Sequence, residues 1–337
     1  MPTTMTLSAF QRIIVTAPAR LHMGFLDLHG GLGRNFGSLG LTISGLATTV
    51  TAEPAESLTA QGPEAPRAEK IARMLLARHG EVRGARIVIS EAIPAHVGLG
   101  SGTQLALAVG VALAKLFRWD ASARAIAHLA GRGNRSGIGI GAFDIGGFLV
   151  DGGRGDRAEP PRIVVRMPFP AAWQILLVFD KQGQCIHGKK EISAFKTLPE
   201  FPAATAAELC RLTLMQALPA LQDEDIASFG QAIGAVQKIV GDYFAPAQGG
   251  RFTSSGVTET LRWLEDQGVA GVGQSSWGPT GFALLASETE ARGLLGGVQA
   301  RQRGNSELSF AVVNGLNRGG AVQVQSLDNL QRVSHLE

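Results

Sequence analysis

Eleven residues, Pro94-Ala95-His96-Val97-Gly98-Leu99-Gly100-Ser101-Gly102-Thr103-Gln104, run without a break into the apolar stretch LALAVGVALAKLF and constrain this chain more than any other segment. Gly98, Gly100 and Gly102 allow a tight turn and a close approach of backbone to ligand. Leu105, Ala106, Val109 and Leu113 then recur at helical spacing. A glycine-rich loop that opens a helix is an anion site, because its first amides have no intrahelical acceptor and face the positive end of the helix dipole. Ser101 and Thr103 add hydroxyl donors, and His96 is placed to reach a phosphate or to cap the turn. No lysine follows the last glycine, so this is not a Walker A loop, and the spacing is not that of a dinucleotide fingerprint. The plainer alternative is an ordinary glycine turn into a helix.

With 337 residues, 45% of them hydrophobic, the chain is long enough for two domains with cores of their own. A net charge of +3 gives no basis for a nucleic-acid or membrane-surface protein. Cys185 and Cys210 show no metal-ligand spacing, and reduced thiols fit a cytoplasmic location. The first fifteen residues lack the basic-then-apolar layout of a signal peptide, and Lys115 interrupts the longest apolar run before it could span a bilayer.

Along the chain, residues 12–17 and 48–53 read as strands around a glycine-rich loop at 24–45, and 69–78 as a short helix. Residues 86–90 form a strand feeding the anion loop, followed by helices near 104–117 and 121–131 and a second glycine-rich segment at 135–153 containing the strand Phe148-Leu149-Val150. Near Pro160-Pro161 the pattern shifts, and DGGRGDRAEPPR reads as a surface connector. Strands at 163–167, 173–179, 269–272, 281–286 and 309–313 interleave with helices near 203–219, 223–241, 255–267 and from 288. The expectation is an α+β chain in two domains, 1–165 and 166–337.

Chemistry concentrates in further polar clusters. Between Arg20 and Arg34 lie His22, Asp27 and His29 on glycine-broken chain, where Asp27 suits a divalent cation or a sugar hydroxyl and Arg34 suits a carboxylate or phosphate. His22 sits between Leu21 and Met23 and reads equally as a half-buried structural histidine. The segment Arg132-Gly133-Asn134-Arg135-Ser136-Gly137-Ile138-Gly139 offers two guanidinium groups on a loop, with Asp144 as a second candidate for metal. Gly273-Gln274-Ser275-Ser276-Trp277-Gly278-Pro279-Thr280 offers hydroxyls and an indole able to stack on a planar ring or to pack in the core. Gly183–Lys190 almost spells Walker A, but Lys190 stands where a magnesium-binding hydroxyl is required, so Lys189 and Lys190 remain only as phosphate contacts.

In this order, APARLHMGFLDLHG, IPAHVGLGSGTQ, RSGIGIGAFDIGG and GQSSWGPTGFALL resemble the GHMP kinase superfamily over nearly the whole chain. The combination HVGLGSGTQ, RSGIGIGAF and QSSWGPT resembles its beta-ribofuranosylaminobenzene 5'-phosphate synthase branch. The resemblance implies a GHMP kinase fold, with an N-terminal domain like ribosomal protein S5 domain 2, a ferredoxin-like C-terminal domain and the site between them. It implies a decarboxylating phosphoribosyltransferase that condenses phosphoribosyl pyrophosphate with 4-aminobenzoate or 4-hydroxybenzoate, releasing carbon dioxide and pyrophosphate in tetrahydromethanopterin biosynthesis. A homodimer is implied by the resemblance alone.

Two departures separate this chain from the kinases it resembles. Kinases of several branches carry an acidic residue where Gly139 stands, and a second serine where Gly102 stands. Both losses weaken phosphoryl transfer and leave intact a loop that can receive a pyrophosphate leaving group. On this reading Mg2+ held by Asp27 or Asp144 and the amides of residues 98–103 stabilise the departing pyrophosphate, and Arg20, Arg135, Lys189 and Lys190 share the phosphates. Arg34 orients the benzoate carboxylate, Ser275, Ser276 and Trp277 receive the ring, and Asp27, Arg34 and His22 form the catalytic set. An ATP-dependent small-molecule kinase and a catalytically silent phosphate-binding regulator are the alternatives.

Overall fold

A computed structural model of the chain describes residues 11–156, 159–183, 197–302 and 307–326. Two long antiparallel strands, β1 (Gln11–Asp27) and β2 (Phe36–Ala55), form the spine of a seven-stranded sheet. β4 (Gly84–Glu91) pairs with β2 and carries the short β3 (Thr59–Gln61) at its edge, while β5 (Phe148–Asp151) pairs with both β2 and β6 (Ile163–Met167). On the far side of β1 lies β11 (Ala321–Ser326), antiparallel to residues 11–16.

Against this sheet packs α2 (Ser101–Phe117), together with α1 (Ala65–Arg78), α3 (Ala123–Leu129) and α4 (Ile138–Asp144). From Gln104 to Ala114 every residue of α2 is buried, which marks a core helix rather than an amphipathic surface one. Gly110 admits its neighbours, since a Cβ there would lie 2.2 Å from Ile126 Cγ2. Arg118 ends the helix in the left-handed region at φ 58°, its amide bonded to Ala114 O.

The second sheet is antiparallel in the order β10-β7-β9-β8, built from β7 (Gln174–Asp180), β8 (Val272–Gln274), β9 (Thr280–Leu285) and β10 (Leu308–Asn314). Around it lie α5 (Ala203–Leu212), a π-helical turn (Thr213–Ala217), α6 (Leu218–Gln222), α7 (Ile226–Gln248), α8 (Ser255–Asp266) and α9 (Glu288–Arg301). One core joins the two units: Leu21, Met23, Leu39 and Leu41 of the first sheet share a buried cluster with Trp173, Phe229 and Phe282 of the second. Both faces of β1 are covered from Leu21 to Leu26, by α4 on the first unit and α5 and α7 on the second. This continuous core sets the relative position of two loops, 94–100 and 275–279. Among the described residues no helix is long and apolar enough to cross a membrane.

Several expectations are corrected. The boundary after residue 165 falls inside β6, which belongs to the first sheet, and β11 returns from the C-terminal half to that same sheet. Of the expected loop at 24–45 only 28–35 is loop. Gly24 lies in β1, and Gly37, Gly40 and Gly45 lie in β2. Gly40 serves packing there: its Cβ would meet Ile138 Cγ2 at 2.2 Å. The expected loop at 135–153 contains α4, whose glycines concealed it, and β3 was not anticipated.

Candidate functional site

At the register shift between Pro18 and Arg20, β1 turns toward the anion loop, and Arg20 N donates to Leu99 O at 3.2 Å. The Arg20 guanidinium runs beneath the loop, with Nη1 donating to Gly98 O at 2.5 Å. Gly98 and Gly100 both hold φ of +84°, and Gly100 is the N-cap of α2. Thr103 N and Gln104 N both donate to Gly100 O at 3.0 Å, which leaves the Ser101 and Gly102 amides as the first-turn donors without a helical acceptor, as an anion site requires. Ser101 and Thr103 are half-buried beside them, and Thr103 packs on Gly139, whose Cβ would meet Thr103 Cγ2 at 3.1 Å. Gln104 anchors the loop from below through Nε2 to Gly139 O at 2.7 Å.

From the second unit, Ser275 Oγ donates to Gly98 O at 2.7 Å and accepts from His22 N at 3.0 Å. Thr280 Oγ1 donates to Val97 O at 2.6 Å, and Ser276 N to His22 O at 3.1 Å. Ser275 and Thr280 are completely buried, so each bond ties the anion loop to the second unit away from water.

Beside this joint opens a narrow cleft whose walls include His22, Phe25, Gln237, Phe244, Arg251 and Trp277. The rings form a continuous wall: His22 meets Phe25 edge-on at 4.7 Å between centroids, and Phe244 meets Trp277 at 4.4 Å. Gln237 braces the floor, donating to Met23 O at 2.6 Å and accepting from Gln274 N at 2.8 Å. Arg251 at the rim is paired with Asp242 through two bonds of 2.7 and 3.0 Å.

His22 is buried, and its Nε2 has no hydrogen-bond partner among the described residues. Burial, and then the charge of Arg20, press the imidazole down from 6.5 to about 3, so it is neutral in the native protein at physiological pH. The unfolded chain takes up this proton below about pH 6.5, whereas the folded chain resists until about pH 3, so stability falls as the pH falls through that window. At pH 5 the loss from this group is about 2 kcal/mol. Thermal melts between pH 7 and 5 should show a shallower decline for His22→Gln than for the wild type, and equal declines would contradict the assignment.

The remaining expected residues are placed as follows. His96 is exposed on the turn at φ 61°, and Arg135 is half-buried on the segment leading to α4. Trp277 is mostly buried as a wall of the cleft, between Ser276 and the Phe244 ring. Lys189 and Lys190, with Cys185, lie outside the described residues.

Three placements are corrections. Arg34 does not line the aromatic cleft; it is exposed, and its Nε and Nη2 donate to Gly152 O and Gly153 O at 2.6 and 2.7 Å beside a different cavity. Asp27 closes a turn, its Oδ1 accepting from His29 N and Gly30 N at 2.9 and 2.8 Å. It stands seven positions along β1 from Arg20, on the order of 20 Å at the usual rise, so it cannot share one ion with the anion loop. Asp144 is exposed at the C-terminal end of α4, whereas Gly139 near the N-terminal end meets Thr103. Among the described residues no three His, Cys, Asp or Glu side chains are gathered as metal ligands. Accordingly, if the expected benzoate is the substrate, Arg34→Ala should leave its KM within about twofold while costing about 1 kcal/mol of stability from the lost carbonyl bonds. A selective rise in that KM would return Arg34 to the acceptor.

Sequence reasoning missed Phe25, Phe244 and Gln237, which read as ordinary core or helix positions. It also missed Arg67, whose guanidinium reaches Gly102 from α1.

Comparison with known proteins identifies the family. The GHMP kinases N terminal domain matches residues 67–152 and the GHMP kinases C terminal matches 217–302. The chain is 30% identical over 329 residues to a beta-ribofuranosylphenol 5'-phosphate synthase of Methanothermobacter thermautotrophicus, covering 91% of this chain and 97% of that one. It is 32% identical over 325 residues to the protein of that name from Archaeoglobus fulgidus, covering 91% and 98%. In fold it is similar to a homoserine kinase from Cytophaga hutchinsonii, with TM-score 0.65 and 17% identity over 96% of this chain and 100% of that one. Mevalonate diphosphate decarboxylase from Staphylococcus aureus is similar at TM-score 0.65 and 14% identity, covering 93% and 98%.

Proposed function

Since the chain belongs to the beta-ribofuranosylphenol 5'-phosphate synthases of the GHMP kinase superfamily, we propose that it joins phosphoribosyl pyrophosphate to a 4-substituted benzoate. The acceptor is 4-hydroxybenzoate or 4-aminobenzoate, and the product is an aryl C-riboside 5'-phosphate on the route to tetrahydromethanopterin. The observation that carries this reading is the junction at Ser275: one buried hydroxyl holds both the anion loop and the strand that presents neutral His22 to an aromatic cleft.

In the proposed reaction the diphosphate lies on the first-turn amides of α2, with Arg20 beneath the loop. As the bond from ribose C1 to the diphosphate oxygen breaks, the electron pair leaves with pyrophosphate, and aligned amides meet the growing charge. The benzoate ring, walled by Phe25, Phe244 and Trp277, attacks C1 through the carbon that bears its carboxylate. The carboxylate carbon then departs as carbon dioxide, and its bonding pair restores the ring. His22, held neutral by burial and by Arg20, forms part of the cleft wall and sets no positive charge against the ring. Holding both carbons in one water-poor cleft supplies the proximity that a two-substrate reaction requires.

The residues at the loop do not fit a resident magnesium ion: those gathered there carry guanidinium and hydroxyl groups, and Asp27 and Asp144 lie elsewhere. Magnesium carried on the diphosphate enters as part of the substrate. Soluble, multiply charged substrates suit the cytoplasm, and a homodimer follows from the family likeness.

The test is to supply phosphoribosyl pyrophosphate with carboxyl-labelled 4-hydroxybenzoate or 4-aminobenzoate and to collect carbon dioxide. Release that requires the ribosyl donor is expected. No release with either acid, together with ATP-dependent ADP formation on a small alcohol, would establish the kinase instead.

A further inference from the structure

Gly102 is the position at which the resemblance to kinases leads one to expect a second hydroxyl, and the space beside it holds two cations. A Cβ on Gly102 would stand 3.0 Å from Arg132 Nη1 and 3.0 Å from Arg67 Nη2, so about 6 Å at most separates these two nitrogens. The two side chains arrive from different elements, Arg67 from the first turn of α1 and Arg132 from the loop after α3. Arg67 is answered by Glu64, whose Oε2 lies 2.5 Å from its Nη1. Among the described residues Arg132 has no side-chain hydrogen bond or ion pair, and its Nε is buried without an acceptor.

We propose that Arg67 and Arg132 form a guanidinium clamp for the diphosphate of the ribosyl donor, and that Gly102 is glycine so that both can close over the first turn of α2. The clamp rests on the functional reading above in taking its ligand to be a diphosphate.

Three physical facts support it. Two guanidinium groups at this separation repel each other, and a single carboxylate answers them, so the pair concentrates positive charge at the positive end of a helix. Burial and the nearness of Arg67 both press against the charged form of Arg132, a strain that a bound anion relieves. Each guanidinium presents a planar fork of donors, and two forks fixed on separate elements match the two phosphorus centres of a diphosphate better than one phosphate. The same chemistry would also accept the ribose 5'-phosphate, so the test separates the two sources.

Binding of inorganic pyrophosphate and of ribose 5-phosphate is measured by calorimetry, without turnover, for the wild type, Arg132→Gln, Arg67→Gln and Gly102→Ala. For each variant pyrophosphate affinity is expected to fall about tenfold or more, with ribose 5-phosphate changed less than about twofold. Arg132→Gln should also melt at or above the wild-type temperature in the absence of ligand, since one member of a repelling pair is gone. Pyrophosphate affinity unchanged in Arg132→Gln, or an equal loss for ribose 5-phosphate, overturns the clamp. If Arg132→Gln fails to fold, Gly102→Ala carries the same prediction, and its wild-type pyrophosphate affinity overturns it. Pyrophosphate binding that depends on Arg132 in a protein making no aryl riboside would leave the clamp standing and refute the functional reading. Product formation with pyrophosphate binding indifferent to Arg132 would do the reverse.

Discussion

Replacing Gly278 with alanine is expected to cost about 3 kcal/mol of stability and to cut turnover about a hundredfold or more. A Cβ on Gly278 would stand 2.4 Å from Gly98 N and 2.5 Å from Gly98 Cα and Val97 C, all of them backbone atoms of the other unit. No flexible side chain can yield, so the two loops must part. Parting stretches Ser275 Oγ to Gly98 O and Thr280 Oγ1 to Val97 O, the buried bonds that hold the anion loop in position. The control is Gly293→Ala in α9, where nothing lies within 4 Å of the added carbon and φ is not strained. That change should be neutral or stabilise by up to about 1 kcal/mol. Thermal melts and kcat/KM measured side by side decide the matter. A wild-type Gly278→Ala protein would show that the loops do not meet as described.

The second large effect is expected at Trp277. Trp277→Ala removes an indole that is nearly buried against Phe244, at a cost of about 3 kcal/mol or more from the cavity left behind. It also strips one wall from the cleft. The acceptor's KM should rise about tenfold, in line with the worth of an aromatic contact, while the donor's KM moves much less. Trp277→Phe should recover most of the acceptor affinity. Equal rises in both KM values would mean that Trp277 supports the joint rather than the ring.

How far the sequence disclosed this arrangement depends on whether the signal was local. The anion loop was legible because three glycines, two hydroxyls and a helical apolar repeat all lie within a short stretch. Ser275, Ser276 and Trp277 were legible as a cluster, though not as the partner of Gly98, since a contact across 177 residues leaves no mark on either segment. Arg67 could not be found at all: on α1 it reads as a solvated helix arginine, and only the fold brings it to Gly102.

Polar density misled at Asp27 and Arg34. Glycine-broken chain needs side chains to satisfy its backbone groups, and both residues are used in that way. Glycine itself carried two meanings. At Gly98 it permits a left-handed turn, whereas at Gly40 and Gly139 it permits close packing in regular structure, and the sequence does not distinguish the two uses. β11 escaped notice for a further reason, because its alternating residues gain their meaning only from pairing with β1.

The proposed reaction joins ribose carbon to ring carbon. It is tested most directly by incubating the protein with phosphoribosyl pyrophosphate labelled with carbon-13 at ribose C1 and a benzoate labelled at the carbon bearing the carboxylate. The expected product shows direct one-bond coupling between the two labels in the carbon-13 spectrum, with the carboxyl group gone. A product with the labels uncoupled, the carboxyl group retained and ribose attached through the para nitrogen or oxygen would contradict it.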